Sequence, residues 1–455
     1  MAEAAARLTA RAAIALVAEG FTEHTPPPPP PGPGPGPGPA DGPADGPLGW
    51  DGYGEARARA RERTGEAESA VYGEAEVGGV RCVVLAFEFG FLGGSLGERT
   101  GDRITAAYRL ARERRVPLVS LVATGGSRMQ EGMVALAQLQ RVARETVLLR
   151  AAGVPHVAVL RDPATGGGWA TIGAGADVLL ALPGAQVGFA GARVRPADAD
   201  PAAYTAEGQL AAGQIDAVVP AGELRATLGR WLTALTRPAP GPVPPPTALG
   251  GAAGPPVTGW DAVRRARAPQ RPRAEAYLDA YFQERLPLVG DRCGGTDPGM
   301  LCGVGLRDGH GVVYAAQCGT ATLPAGYRTA ARVVRLADRL GLPVLTLVDT
   351  PGAANDAEAE RAGAGASIAE AFAAVAGARV PVTTLVVGEG GSGGALALAA
   401  PGRTWVTPDS YFSVIAPELA AAILKRPAEE AARTAEQLRL RPQDLVELGV
   451  VRGIV

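Results

Sequence analysis

The chain has 455 residues, more than one hydrophobic core usually supports, so its length predicts two or three domains. Its 44 basic and 46 acidic residues nearly cancel, and no basic cluster is interleaved with aromatic residues, which disfavours nucleic-acid binding. No run of about 18 apolar residues escapes interruption by glycine, proline or charge, so we expect no membrane span. The four cysteines form no C-x-x-C pair, so no metal site is predicted.

The N-terminal segment and two low-complexity stretches give the organisation of the chain. In segment 4–20, Arg7, Arg11 and Glu19 lie around a very short apolar centre, which favours an amphipathic helix over a secretion signal and predicts a cytoplasmic protein. Residues 26–47 and 237–256 are rich in proline and glycine, which form neither helix nor sheet ladder readily, so both stretches are predicted to be spacers. This predicts an N-terminal domain over 1–236 with an insert at 26–47, a linker at 237–256, and a C-terminal domain over 257–455.

The two halves repeat each other in one register. PLVSLVATGG begins at Pro117, and its counterpart PVLTLVDTPG begins at Pro343. PHVAVL begins at Pro155, and its counterpart PVTTLV begins at Pro381, so the offset between counterparts is the same in both pairs. The same offset superposes the glycine cluster 164–168 on 390–394. Matches at three places in one register predict a duplicated domain.

Each half alternates short β-rich runs with alanine-rich helical segments, which predicts an α/β fold. In the first half we predict a helix from 104 to 114, a strand from 117 to 122, a helix from 131 to 149 and a strand from 155 to 160. In the second half we predict a helix from 327 to 340, a strand from 343 to 348, a helix from 366 to 377 and a strand from 381 to 387.

Four glycine-rich turns follow the strands, at 123–131, 162–170, 349–356 and 388–397. A turn of this kind that opens a helix exposes backbone N–H groups with no side chain in the way. Two turns in each half can therefore pair their amides into an oxyanion hole, which requires no strong side-chain base. The alternative is that these glycines only permit tight turns and close packing.

Two further glycine-rich signals need weighing. Residues 388–393 satisfy G-x-G-x-x-G with Asp409 about 20 residues on, which imitates a dinucleotide fingerprint. Pro401 cuts the following helix short, which favours the oxyanion hole instead. The turn in 87–103 carries Arg99 and Arg103, which either face phosphates or are solvated charges at a helix start.

At these residues the chain resembles a known family. FEFGFLGGSLGERTG, ATGGSRMQEG, DPATGGGWAT and GFAGARV look like the β subunit of bacterial acetyl-CoA carboxylase carboxyltransferase. The segments from 324 to 353, 387 to 398, 411 to 418 and 421 to 425 look like the α subunit. The chain is therefore similar to a fusion of the β and α subunits.

The resemblance implies two tandem crotonase-like domains of the ClpP/crotonase superfamily, in a homo-oligomer whose active sites lie between an N-terminal and a C-terminal half. It implies the use of carboxybiotin, supplied on a separate biotin carboxyl carrier protein by biotin carboxylase. The carboxyl group leaves as CO2, the ureido nitrogen takes a proton from the α-carbon of acetyl-CoA, and the enolate attacks CO2 to give malonyl-CoA.

The resemblance also implies which small residues donate to the two oxyanions. The thioester oxygen would be bound by Gly166 and Gly167, with Gly125 or Gly126. The biotin oxygen would be bound by Gly393 and Gly394, with Gly352 or Ala353. The predicted substrate-binding set, for coenzyme A, is Gly93, Gly94, Arg99, Arg103 and Arg128.

The sequence departs from the family at three places. The four-cysteine zinc ribbon of the β subunit has no counterpart in this sequence, Trp169 stands where a small residue is usual, and the segment after DTPGA is altered. Two alternative functions follow: a carboxyltransferase for propionyl-CoA or a longer acyl-CoA, or a weakly active paralogue that scaffolds a carboxylase complex.

Overall fold

The computed structural model describes residues 7–26, 45–250 and 254–455 of the protein. The chain divides into two compact units, Met1–Leu232 and Thr233–Val455, which we call the first and second unit. Residues 27–44 of the predicted insert and 251–253 of the predicted linker lie outside the described residues. Among the described residues, every helix is too short or too polar to cross a bilayer.

The first unit begins with a short helix and then builds an α/β domain. Its helices are α1 (Ala10–Val17), α2 (Tyr53–Thr64), α3 (Glu98–Arg114), α4 (Gly132–Ala151), α5 (Gly166–Gly168), α6 (Ala206–Ala211) and most of α7 (Leu224–Thr236), which continues past Leu232. Its strands are β1 (Glu19–His24), β2 (Ala70–Val77), β3 (Val80–Phe87), β4 (Leu118–Thr124), β5 (His156–Thr165), β6 (Val178–Ala181), β7 (Val187–Gly188) and β8 (Ala217–Val218).

These strands form one sheet in the order β1-β2-β3-β4-β5-β6-β8, with β7 paired to the end of β5. Strands β3 to β6 are parallel neighbours. All seven residues of β4 are buried, as expected for an apolar strand covered on both faces. Because parallel strands end at the same edge, the turns after β4 and β5 lie side by side.

The second unit repeats this plan. Its helices are α8 (Gly259–Ala266), α9 (Ala274–Tyr281), α10 (Pro324–Leu340), α11 (Ala357–Arg361), α12 (Ala364–Ala376), α13 (Ser392–Leu396), α14 (Pro417–Ile423), α15 (Ala431–Gln437) and α16 (Pro442–Glu447). Its strands are β9 (Glu284–Pro287), β10 (Met300–Arg307), β11 (His310–Gln317), β12 (Val344–Thr350), β13 (Val382–Gly391), β14 (Thr404–Val406), β15 (Tyr411–Ser413) and β16 (Gly453–Ile454).

The sheet order is β16-β14-β13-β12-β11-β10-β9, with β15 paired to the end of β13. An irregularity in strand pairing shows the duplication most directly. In the first unit the register shifts between Val122 and Thr124, where Thr124 pairs with Ala164. In the second unit the same shift occurs at the equivalent position of the repeat, where Thr350 pairs with Gly390. The predicted α/β class and the duplication are therefore present in the structure.

Helix α10 shows how the second unit covers its sheet. It begins with Pro324, whose missing N–H is no loss in the first turn, and ends at Gly341 in the left-handed conformation (φ 74°). Tyr327, Ala330 and Val334, spaced at three and four residues, are buried on one face. The predicted helix at 327–340 thus starts three residues earlier than expected.

The predicted linker at 237–256 packs against the second unit through its first half. Gly311 N–H donates to Arg237 O at 2.7 Å, and Thr383 Oγ1 donates to Val243 O at 2.8 Å. Val243 is only 5% exposed and packs with Tyr277. Burying a valine side chain contributes about 1.5 kcal/mol or more. A proline-rich composition therefore does not prevent this stretch from forming part of a core.

Candidate active site

The turns after β4 and β5 converge in the first unit. Gly126 (φ 107°) and Gly166 (φ 64°) have left-handed backbones that disfavour other residues. A Cβ atom built on Gly166 would lie 2.9 Å from the Cα of Gly126. The close approach of the two turns excludes a side chain at Gly166, and the left-handed backbone favours glycine at Gly126.

Three of the four donors predicted for this half already donate within the protein. The N–H of Gly125 donates to Gly93 O at 2.9 Å, and that of Gly166 donates to Phe189 O at 3.1 Å. The N–H of Gly126 donates to Thr124 Oγ1 at 3.0 Å. These bonds fix the turns, so Gly125, Gly126 and Gly166 shape the site and do not offer N–H groups to a ligand.

Two amides at this corner of the first unit, those of Gly167 and Ser127, are available as donors. Within residues 7–26, 45–250 and 254–455, no group accepts a hydrogen bond from either N–H. Ser127 is freed by a parallel bridge with Leu96, in which Leu96 N–H donates to Gly126 O and Arg128 N–H donates to Leu96 O. In such a bridge the N–H of the central residue points away from its partner. Ser127 was not among the predicted donors, because nothing in the sequence shows that its backbone N–H lacks an acceptor.

The second unit has the same design. Gly352 N–H donates to Thr350 Oγ1 at 3.1 Å, as Gly126 does to Thr124. Thr322 N–H donates to Gly352 O and Ala354 N–H to Thr322 O, so Ala353 corresponds to Ser127. Gly352 is therefore occupied, whereas Ala353 is not.

The predicted donors Gly393 and Gly394 lie in the first turn of α13. In the described part of the chain, nothing accepts a hydrogen bond from their N–H groups or from that of Ala353. A Cβ atom on Gly394 would lie 2.5 Å from the nitrogen of Ala353, so the two turns also meet here. Three amides without acceptors thus cluster at one corner of the second unit.

A buried ion pair supports this corner. Asp349, fully buried at the end of β12, accepts hydrogen bonds from Arg271 Nη2 at 2.5 Å and from Glu389 N–H at 3.1 Å. Arg271 is 7% exposed, and Arg273 donates to the other carboxylate oxygen at 3.2 Å. The pair joins the end of β12 to the end of β13. Sequence reasoning gave no hint of it, because Arg271 lies far from both strands in the chain.

Arg128, predicted to bind substrate, lies in the interior instead. It is 1% exposed and donates to Glu68 Oε1 at 2.5 Å, to Tyr53 Oη at 3.1 Å and to Ser95 O at 2.8 Å. Burial raises the pKa of Tyr53 to about 12, so its hydroxyl is neutral. Arg128 therefore stabilises the turn after β4 from the protein interior and is not exposed to a ligand.

The other predicted substrate-binding residues occupy varied positions. Arg103 is largely buried and donates to Ala70 O at 3.0 Å, which is a structural contact. Arg99 is half-buried on the first turn of α3. Gly94 (φ 61°) is buried against the carbonyl of Ala123, whereas Gly93 (φ 68°) has open space around it. Arg99 and Gly93 remain predictions.

Two other sequence expectations can be placed. Helix α13 has five residues, too few for a dinucleotide-type helix, and Asp409 lies 3.9 Å from Arg265. The dinucleotide interpretation therefore has no support in the geometry.

Trp169, which follows Gly167 by two residues, is 9% exposed and belongs to the core of the first unit.

Two α/β units that each present unoccupied backbone amides where parallel strands end define a class of enzymes that stabilise oxyanions. Comparison with known proteins identifies the group within it. Residues 51–228 match the carboxyl transferase domain family, and residues 255–455 match the acetyl co-enzyme A carboxylase carboxyltransferase-like family.

Full-length relatives agree with these domain matches. The chain is 41% identical over 423 residues to the acetyl-coenzyme A carboxylase carboxyl transferase subunits beta/alpha of Saccharopolyspora erythraea, covering 89% of this chain and 74% of the relative. It is 36% identical over 414 residues to a probable biotin-dependent acyl-coenzyme A carboxylase beta3 subunit of Mycobacterium bovis, covering 89% and 83%. The protein belongs to the carboxyltransferase family of biotin-dependent acyl-CoA carboxylases.

Solved structures show the same fold. The transcarboxylase 12S hexamer, with methylmalonyl-coenzyme A bound, aligns with a TM-score of 0.77 at 19% identity over 99% of this chain and 87% of that chain. A single-chain, multi-domain long-chain acyl-CoA carboxylase aligns with a TM-score of 0.73 at 19% identity, over 99% of this chain and 46% of that one. The predicted class of two tandem crotonase-like α/β domains is confirmed.

Proposed function

We propose that the protein is the carboxyltransferase of an acetyl-CoA carboxylase, which moves a carboxyl group from biotin on a carrier protein to acetyl-CoA and yields malonyl-CoA. The observation that carries this proposal is the pair of amide sets without acceptors, Ser127 with Gly167 and Ala353 with Gly393 and Gly394. The identity to beta/alpha subunits supports acetyl-CoA as the acyl substrate.

In this reaction the protein stabilises negative charge on two oxygen atoms. One oxygen belongs to the thioester, which becomes an enolate, and the other to the ureido group of biotin, which gains negative charge when its carboxyl group leaves. Preorganised N–H groups suit both oxygens, because they stabilise charge that develops only in the transition state. Biotin supplies the carboxyl group and the nitrogen that takes the α-proton, so the protein contributes no side-chain base.

We assign the first unit to the thioester and the second unit to biotin. Gly167 and Ser127 would donate to the thioester oxygen, and Gly393, Gly394 and Ala353 to the ureido oxygen. This assignment keeps the predicted division between the halves and replaces Gly125, Gly126, Gly166 and Gly352 as donors. The latter four position the turns through their own hydrogen bonds or close contacts.

The proposed partners are a biotin carboxyl carrier protein, a biotin carboxylase and further copies of this chain, in the cytoplasm. Relatives carry the names of carboxylase subunits, and the neighbouring 12S transcarboxylase is a hexamer within a multienzyme core. We further propose that each active site combines a first unit and a second unit from different copies.

The test is the reverse reaction with a free biotin derivative. Purified protein is incubated with malonyl-CoA and biocytin, and acetyl-CoA formation is followed. Turnover of malonyl-CoA supports the proposal. Turnover of methylmalonyl-CoA alone assigns a propionyl-CoA carboxyltransferase, and folded protein without turnover of either supports the scaffold alternative.

A further inference from the structure

The second unit contains a buried side-chain cluster that joins the two turns of its oxyanion hole. Tyr327 Oη donates to the carbonyl oxygen of Gly394 at 3.0 Å, and Gln317 Nε2 approaches the same oxygen at 3.2 Å. Gln317 Nε2 also lies 3.1 Å from Thr322 Oγ1. All three side chains are at most 1% exposed. We call Gln317, Thr322 and Tyr327 the Gly394 anchor.

The anchor satisfies a carbonyl that the helix leaves without a partner. Helix α13 is too short to bond all its carbonyls, since Ala397 N–H donates to Gly393 O and Leu398 N–H donates to Ala395 O. Gly394 O, between them, is left for side chains, as carbonyls near helix ends are. Burial raises the pKa of Tyr327 to about 12, so its hydroxyl remains a donor at neutral pH.

The anchor also reaches the opposite turn. Thr322 N–H donates to Gly352 O at 3.1 Å, and Thr322 O accepts from Ala354 N–H at 2.9 Å. These two bonds flank Ala353 and leave its N–H unbonded. One cluster therefore connects the peptide of Gly394 to the turn that presents Ala353.

Among its described residues, the first unit lacks an equivalent of this cluster, although its turns repeat those of the second unit in sequence register. At the offset of the repeat, the position equivalent to Tyr327 is Gly101, which has no side chain. The residue that ends β3, as Gln317 ends β11, is Phe87. The cluster is thus an addition to the duplicated plan. Three polar side chains in an apolar interior cost desolvation, and Gln317 Oε1 has no partner in the described chain.

We propose that Gln317 and Tyr327 are positioning residues that set the spacing between the amides of Gly394 and Ala353 in the second oxyanion hole. A misplacement of about 1 Å at such a site costs on the order of 100-fold in rate. The proposal rests on the proposed carboxyltransferase function for its kinetic readout, and on the geometry alone for its structural readout.

The experiment compares Tyr327→Phe, Gln317→Leu and the double variant with Tyr277→Phe. Tyr277 is the matched control, because its buried hydroxyl in the same unit accepts a hydrogen bond at 3.1 Å from the N–H of Leu249, a residue outside both turns. We expect kcat with malonyl-CoA and biocytin to fall about tenfold in each single variant and about 100-fold in the double variant. KM for malonyl-CoA should change less, since the donors act on charge that develops in the transition state.

Amide hydrogen exchange supplies the readout that does not depend on turnover. Exchange should rise in the double variant at the hydrogen-bonded amides of Gly352, Ala354 and Ala397, which lie beside the free ones, and should stay at the wild-type level there in Tyr277→Phe. Equal kcat losses in the anchor and control variants, or unchanged exchange at these residues, would overturn the proposal. If wild-type protein shows no turnover, the proposed function fails, and hydrogen exchange alone decides whether the anchor positions the turns.

Discussion

Gly393 offers the sharpest test of the second oxyanion hole, because it can be enlarged without a clash. A Cβ atom built on Gly393 meets nothing within 4 Å, and its backbone is not left-handed. Valine also has a higher helix propensity than glycine, by several tenths of a kcal/mol. Gly393→Val should therefore retain the free energy of unfolding while the side chain projects from the corner where the free amides lie.

We expect Gly393→Val to lower kcat by about 100- to 1000-fold, because the side chain would block the approach of the oxygen to the free amides and so cost as much as the loss of one oxyanion donor. Malonyl-CoA decarboxylation with biocytin measures kcat, and urea unfolding measures stability. Gly393→Ala should show a smaller loss in kcat, which makes the effect graded with side-chain size.

The matched control is Gly365→Val on α12, where a Cβ atom also meets nothing within 4 Å and the residue is exposed. Its kcat should equal that of the wild type. If Gly393→Val retained full activity, or if Gly365→Val lost as much, the amide of Gly393 would not belong to the site. Gly394→Ala should behave differently, because its Cβ atom would lie 2.5 Å from the nitrogen of Ala353 and would destabilise the turn by about 1–3 kcal/mol.

Three further predictions follow from other parts of the structure. Arg128→Met should lower the free energy of unfolding by about 3–5 kcal/mol, since Glu68 would remain buried without its partner. KM for malonyl-CoA should not rise in the folded fraction of this variant. A raised KM would show that Arg128 does bind the substrate. Ser392 has a left-handed backbone (φ 62°), which is strained for serine, and its equivalent in the first unit is Gly166. Ser392→Gly should therefore raise the melting temperature by about 2 °C or more in calorimetry. A lower melting temperature would show that Ser392 is not strained. Hydrogen bonds from Arg441 lower the pKa of Asp444, so this carboxylate stabilises the fold above the ordinary aspartate pKa of about 3.9 and loses that contribution as pH falls through its lowered value. The stability difference between wild type and Asp444→Asn should therefore be constant from pH 7 to 5 and shrink below about pH 4, as measured by denaturant unfolding at each pH.

The strands and helices around the site were predictable because their patterns are local. The apolar run that begins at Pro117 is β4, and its repeat from Pro343 is β12. The predicted strands were too short, however: β5 continues to Thr165 and β13 to Gly391. These extensions arise from pairing with β7 and β15, which lie later in the chain, so composition could not reveal them.

The sequence by itself determined the duplicated α/β plan, the four turns and their place at strand ends, since these depend on side-chain periodicity and on glycine. Only the tertiary structure decided which amides are free. Gly126 and Ser127 are adjacent, yet one N–H is bonded to Thr124 and the other is not, because a bridge to Leu96 sets the direction of each peptide. Hydrogen-bond direction depends on the neighbouring chain, and burial likewise turned Arg128 from a candidate ligand into a structural support.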